Sequence, residues 1–139
     1  MTLDMRIVTY CEAHFAGVDA LWREAFPGDP PRNRAAVAIP AKLAEQPDLL
    51  FVAVAGDAVI GTVMAGYDGH RGWLYAVAVR LSHRGTGTGR ALVGHAEAAL
   101  KERGCVKINL QVREGNQVAG FYAALGYEVE PRTSMGKSL

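Results

Sequence analysis

The chain has 139 residues, half of them hydrophobic, and 15 basic against 14 acidic side chains give a formal charge of +1. That length suits one domain, residues 1–139, burying roughly two-thirds of its unfolded surface, and the mixed, balanced charge argues against nucleic acid or a membrane surface as partner. The longest apolar run, Leu49 to Ala55, is far short of a bilayer span, and the N-terminus has no apolar leader core, so a cytoplasmic protein is expected.

Residues 5–10 read as a first strand. From Ala13 the apolar residues Phe15, Val18, Leu21, Trp22, Ala25 and Phe26 step by three and four as a helix does, until Pro27-Gly28 stops it. Cys11 and, much later, Cys105 are isolated and lack metal or redox spacing, so two free, buried thiols are expected and no zinc or other metal. Residues 27–33 are a loop by composition, and residues 34–46 read as a second helix, interrupted at Pro40. Leu49 to Ala55 and Val59 to Gly66 are strands joined by a Gly56-Asp57 hairpin turn; residues 67–72 turn the chain again, into a strand from Trp73 to Val79.

Next comes Arg84-Gly85-Thr86-Gly87-Thr88-Gly89-Arg90, then a helix with Leu92, Val93, Ala96, Ala99 and Leu100 on one face and Gly104 as its αL cap. Alternate glycines let a ligand approach the backbone, and the helix opens with N–H groups that lack intrahelical partners at the positive end of its dipole. With Arg84 and Arg90 beside it, this strand, turn and helix form an anion seat suited to a phosphate or pyrophosphate. It is not a P-loop, because no Lys-Ser/Thr pair follows Gly89, and it is not a dinucleotide fingerprint, because the glycines are spaced two and two.

Past Gly104, Val106, Ile108, Leu110 and Val112 alternate with polar residues as a half-buried strand. Asn116 is placed to cap a short helix carrying Val118, Phe121, Tyr122 and Leu125, closed by Gly126. Residues 127–132 and 134–139 can supply a final hairpin. The order makes an α+β sandwich with a mixed central sheet of six to seven strands and about four helices.

Arg84, Gly87 and Gly89, in an Arg-x-x-Gly-x-Gly pattern after Val77-Ala78-Val79, resemble the acetyl-CoA motif of the GCN5-related N-acetyltransferases (GNAT). Leu50 to Thr62, and Asn116 to Tyr127 with its Phe-Tyr-x-x-x-Gly-Tyr ending, resemble the same family, so the likeness covers nearly the whole chain. The Gly66 to Gly72 turn is similar to that of a group of small bacterial acetyltransferases. Leu81-Ser82 departs from the pattern, since many members have a proline there.

The resemblance implies acetyl-CoA as co-substrate, wedged between the fourth and fifth strands with its amides on the backbone of Val77, Ala78 and Val79. It implies a pyrophosphate held by the backbone of Arg84, Gly85, Thr86, Gly87, Thr88 and Gly89, with Arg90 at the edge, and Asn116 as a further pantetheine contact or as a helix cap alone. Tyr122 is implied as the general acid that protonates the leaving thiolate, although its place in the apolar stripe also suits a core tyrosine. A backbone N–H near Val77 would stabilise the developing oxyanion. Glu24, Asp68, His70 and Glu128 are candidate bases, and none is assigned.

The acceptor is expected to be a primary amine, its site lined by Phe26 to Arg34 and the last hairpin. With one acidic and two basic residues in Phe26 to Arg34, that lip does not suit a polycation, and an α-amine of a small molecule or peptide is favoured. A non-catalytic acyl-CoA sensor is the rival reading. The sequence leaves a homodimer open.

Overall fold

The computed structural model describes residues 4–113 and 118–139. Asn116 therefore lies outside the described residues. A sheet of five strands runs in the order β1 (Met5–Thr9), β2 (Leu50–Ala55), β3 (Ala58–Tyr67), β4 (Gly72–Val79), β5 (Ile108–Asn109). Every neighbouring pair is antiparallel except β4 and β5, which are parallel. Helices α1 (Phe15–Ala25) and α2 (Ala35–Glu45) cover one face; α3 (Thr88–Glu102) and α4 (Ala119–Ala124) cover the other. The expected α+β sandwich with a mixed sheet and four α-helices is what forms.

Cover on both faces explains why β2 is an unbroken apolar run and not an alternating one. Leu50, Val52 and Val54 point to the α1 face with Val18, Leu21 and Ile39, while Phe51 and Ala53 point to the α3 face with Leu92, Val93 and Leu100. Helix α3 sits close on the sheet because Gly61 of β3 has no side chain. A Cβ there would lie 2.7 Å from a Leu92 methyl and 3.0 Å from the Ala78 carbonyl oxygen. Pro40 lies inside α2, which continues through it to Glu45.

Three expectations need correction. The strand expected at Val106 to Val112 shrinks to Ile108–Asn109, with Val106 92% exposed. Among the described residues the final hairpin does not form, and the sheet has five strands and not six or seven. Pro131 lacks the N–H a ladder would use, and Val129 and Met135 face solvent, so pairing there would bury no apolar side chain. The tail is instead tied to β5 through side chains: the Glu130 carboxylate accepts from Lys107 Nζ (2.5 Å) and Asn109 Nδ2 (2.7 Å), and Gln111 Nε2 donates to Ser134 Oγ (2.5 Å). Thirdly, both thiols are free but neither is core: Cys11 is exposed and Cys105 half-buried.

Candidate active site

Strand β4 changes phase midway. Thr62 pairs with Ala78, but Met64 pairs with Tyr75, so the register slips by one residue at a β-bulge. Ala76, inside it, has φ +49°, the only positive value among the described non-glycine residues. The slip swaps the faces: before it Leu74 joins the α3-side core, after it Val77 and Val79 do, and Ala76 and Ala78 turn to the α1 side. A buried relay holds the bulge. The Trp22 indole N–H donates to Thr62 Oγ (2.9 Å), and that hydroxyl donates to the Ala76 carbonyl (2.8 Å).

Strand β5 accompanies β4 only at Gly72 and Trp73. Among the described residues no strand flanks β4 on that side from Leu74 to Val79, so the sheet is open beside Val77 and Val79. The Val79 carbonyl is partly occupied, accepting from Arg84 Nε at 3.3 Å.

A 3₁₀ turn at Leu81–His83 leads from β4 into the glycine loop. Gly85 (φ +76°) and Gly87 (φ +86°) take left-handed conformations, with open space where a Cβ would lie. The first intrahelical bond of α3 runs from Ala91 N–H to the Gly87 carbonyl, and no side chain caps the helix. Among the described residues, the N–H groups of Gly85, Thr86, Gly87, Thr88, Gly89 and Arg90 therefore meet no protein acceptor. Such a run of unsatisfied donors at a helix start is an anion cradle. The threonine hydroxyls are spent on its shape: Thr86 Oγ donates to the His83 carbonyl (2.5 Å), which leaves Thr88, almost fully buried, to donate to Thr86 Oγ (2.9 Å). Arg84 and Arg90 are exposed beside it.

Helix α4 brings aromatics to this opening. Phe121 lies over Gly89, where an added Cβ would stand 3.3 Å from the ring, and it meets Tyr122 edge to face at 5.0 Å. Tyr122 packs against the core that includes Val77 and Val79 and against the Tyr127 ring at 5.9 Å. Its hydroxyl has no hydrogen-bond partner among the described residues, and burial raises its pKa above the usual phenol value. A protonated phenol without a partner, next to an open strand edge and an anion cradle, has the chemistry of a proton donor to a departing group.

A sequence model of the Acetyltransferase (GNAT) family matches residues 15–127. The chain belongs to the GNAT family. It is 40% identical over 138 residues to an acetyltransferase of Yersinia enterocolitica, covering 97% of this chain and 96% of that one. An acetyltransferase of Pectobacterium atrosepticum is 40% identical over 136 residues, again 97% and 96%. Among solved structures the fold is similar to Ard1 of Thermoplasma volcanium, with a TM-score of 0.81 at 19% identity over 91% of this chain and 84% of that one. It is also similar to an aminoglycoside N-acetyltransferase in complex with CoA, with a TM-score of 0.78 at 21% identity, covering 96% and 94%.

As a GNAT enzyme, the chain is an acetyl-CoA-dependent N-acetyltransferase. The glycine-loop residues named from the sequence do come together, at the end of β4. Thr62, Trp22, Ala76 and Phe121 escaped that reading as site residues. A buried tryptophan needs an N–H partner, and the lone Thr62 in an apolar run is a visible signal for one, but an alanine gives no sign of a left-handed backbone. Of the candidate bases, Asp68 closes the β3–β4 turn, where Oδ1 accepts from His70 N–H (2.8 Å) and Arg71 N–H (2.7 Å); these bonds lower its pKa, the wrong direction for a base at neutral pH. His70 shares that turn, and Glu24 and Glu128 are exposed.

Proposed function

We propose that residues 1–139 act as one cytoplasmic transferase domain that moves the acetyl group of acetyl-CoA directly to a primary α-amine, with Tyr122 as general acid. The observation that carries this is the run of N–H groups from Gly85 to Arg90 at the end of the open β4 edge, which like the Tyr122 hydroxyl have no acceptor or partner among the described residues. The cradle fits a pyrophosphate, and the side of β4 beside Val77 and Val79 that β5 leaves open fits the amide groups of an extended arm.

Acetyl-CoA supplies an acetyl thioester, activated for attack by a neutral amine. The chain's own residues do the rest. An N–H of the β4 bulge near Val77 faces the charge that grows on the carbonyl oxygen. As the C–N bond forms and the C–S bond breaks, Tyr122 gives its proton to the departing sulfur, and its phenolate recovers one from the nitrogen that has become an amide. Amine plus thioester gives amide plus thiol, with no proton left over. Holding a lysine-type amine neutral at pH 7 costs about 4.6 kcal/mol, against little more than about 1 kcal/mol for an α-amine. With no base assigned, the α-amine is the acceptor that this site can use unaided.

Initial-rate kinetics with both substrates varied test direct transfer. Intersecting double-reciprocal lines are expected. Parallel lines, or an acetylated protein isolated after incubation with acetyl-CoA alone, would overturn it. A protein that binds CoA and acetylates no amine in a broad panel would be the sensor.

A further inference from the structure

On the α1 side of the sheet, a cleft of about 210 Å³ lies between the end of α1 and the start of α2. Its wall includes Trp22 and Phe26, and its charged lining is Asp19, Arg23, Asp29 and Arg34. Two facts tie it to the chemistry. Its Trp22 wall is the same indole that supports the β4 bulge through Thr62, so the cleft backs onto the strand where transfer is proposed. Its other end is fastened toward β5 by an ion pair between Asp29 and Arg113.

The charges are not evenly spent. Asp19 is engaged by Arg23 (3.1 Å) and Asp29 by Arg113, whereas Arg34 has no acidic partner among the described residues. The Arg34 backbone is held in place, closing the 3₁₀ turn at Pro31–Asn33 and accepting the first bonds of α2, and its exposed side chain lines the mouth of the cleft. The cleft therefore offers one uncommitted guanidinium beside two aromatic walls, in a volume below the roughly 300–1,000 Å³ of pockets for drug-sized ligands.

From this we infer that the acceptor carries its own carboxylate: a free α-amino acid, or a small molecule of that kind, with its carboxylate on Arg34, its apolar part against Trp22 and Phe26, and its amine toward β4. This rests on the α-amine reading above and narrows it. Arg34 then has a second effect. A cation beside the bound acceptor disfavours its ammonium form, which helps to supply the neutral amine that no assigned base provides.

The test compares kcat/KM for a panel of apolar amino acids with that for their α-amides, in the wild type and in Arg34→Gln. The amide's amine is the less basic, so without a carboxylate site the amides are the better substrates at neutral pH. The wild type is expected to prefer the free acids tenfold or more. Arg34→Gln should lose at least tenfold on the acids, lose almost nothing on the amides, bind CoA as before by calorimetry, and move the pH profile for the acids to higher pH. Amides used as well as acids, or both falling equally in Arg34→Gln, overturn the carboxylate site and leave the α-amine reading standing. Acetylation confined to lysine side chains or aminoglycosides overturns both.

Discussion

The Thr62 hydroxyl donates to the Ala76 carbonyl over 2.8 Å, so a side chain of β3 holds a strained residue of β4 in place. Thr62 is fully buried and receives the Trp22 indole N–H in turn. Thr62→Val keeps the shape, removes the hydroxyl and leaves the buried Trp22 N–H and the half-buried Ala76 carbonyl without it. We expect it to lower the unfolding free energy by about 1–3 kcal/mol and kcat by about tenfold, with Thr62→Ser close to wild type on both. Denaturant titration and steady-state rates measure these. A Thr62→Val protein with normal kcat would mean that the relay holds the fold but not the reaction.

The anion cradle predicts a separation of charge from strain at Gly87. Its φ of +86° costs any L-residue about 1–2 kcal/mol, so Gly87→Ala should be less stable by about that amount and still bind CoA. Gly87→Glu adds a negative charge at the N–H groups meant for a phosphate, and its CoA affinity should fall by about 100-fold or more. Calorimetry on both variants decides it, and equal affinities would remove the loop from the cofactor site.

Tyr122→Phe removes only the proposed proton. We expect kcat to fall by about 10²-fold with the dissociation constant for CoA unchanged. Because burial raises the phenol's pKa, its proton is kept through the neutral range, and kcat/KM should climb with pH as the amine loses its proton, with no fall until above pH 10. The variant should keep the climb at a lower level. A wild-type rate would return Tyr122 to a packing role.

Tyr127 donates to Glu97 Oε2 over 2.7 Å, and its pKa is raised by burial first and by Glu97 second. An unfolded tyrosine ionises near pH 10 while the folded one stays protonated, so this stabilisation is complete below about pH 10 and is lost as pH rises beyond it. Chemical denaturation at pH 8 and pH 10.8 should show the gap between wild type and Tyr127→Phe closing at the higher pH. A constant gap would contradict the linkage.

Much of this was legible from local signals. Helices α1 and α3, the β2–β3 hairpin and the glycine loop follow from apolar spacing and from glycines, of which Gly56, Gly85, Gly87 and Gly104 are left-handed while Gly89 is helical. The missing hairpin and the short β5 were not, because alternation in residues 106–112 says what a strand would bury and not whether a neighbour will pair with it. The relay was equally hidden: Trp22 and Thr62 lie 40 residues apart, and only the folded sheet brings them together. The cleft's electrostatics also needed the structure, since the lip's single acid, Asp29, is neutralised by Arg113 from far along the chain and Arg34 is left over.

The bulge in β4 also acts as a latch against sliding. A plain strand can shift two residues along its neighbour and present the same side chains to the same faces, but β4 carries an odd residue at one place only. Any such shift would move the bulge at Ala76 away from the place between Thr62 and Met64 where it sits, free the carbonyl that Thr62 holds and move the strain to a residue not built for it. The glycine loop follows β4 after a single 3₁₀ turn, so its distance from the centre of the sheet is set to the residue. Deleting Ala76 would leave Val77 and Val79 on their own side of the sheet, because plain alternation from Leu74 then puts them there, but it would remove the odd residue and with it the latch.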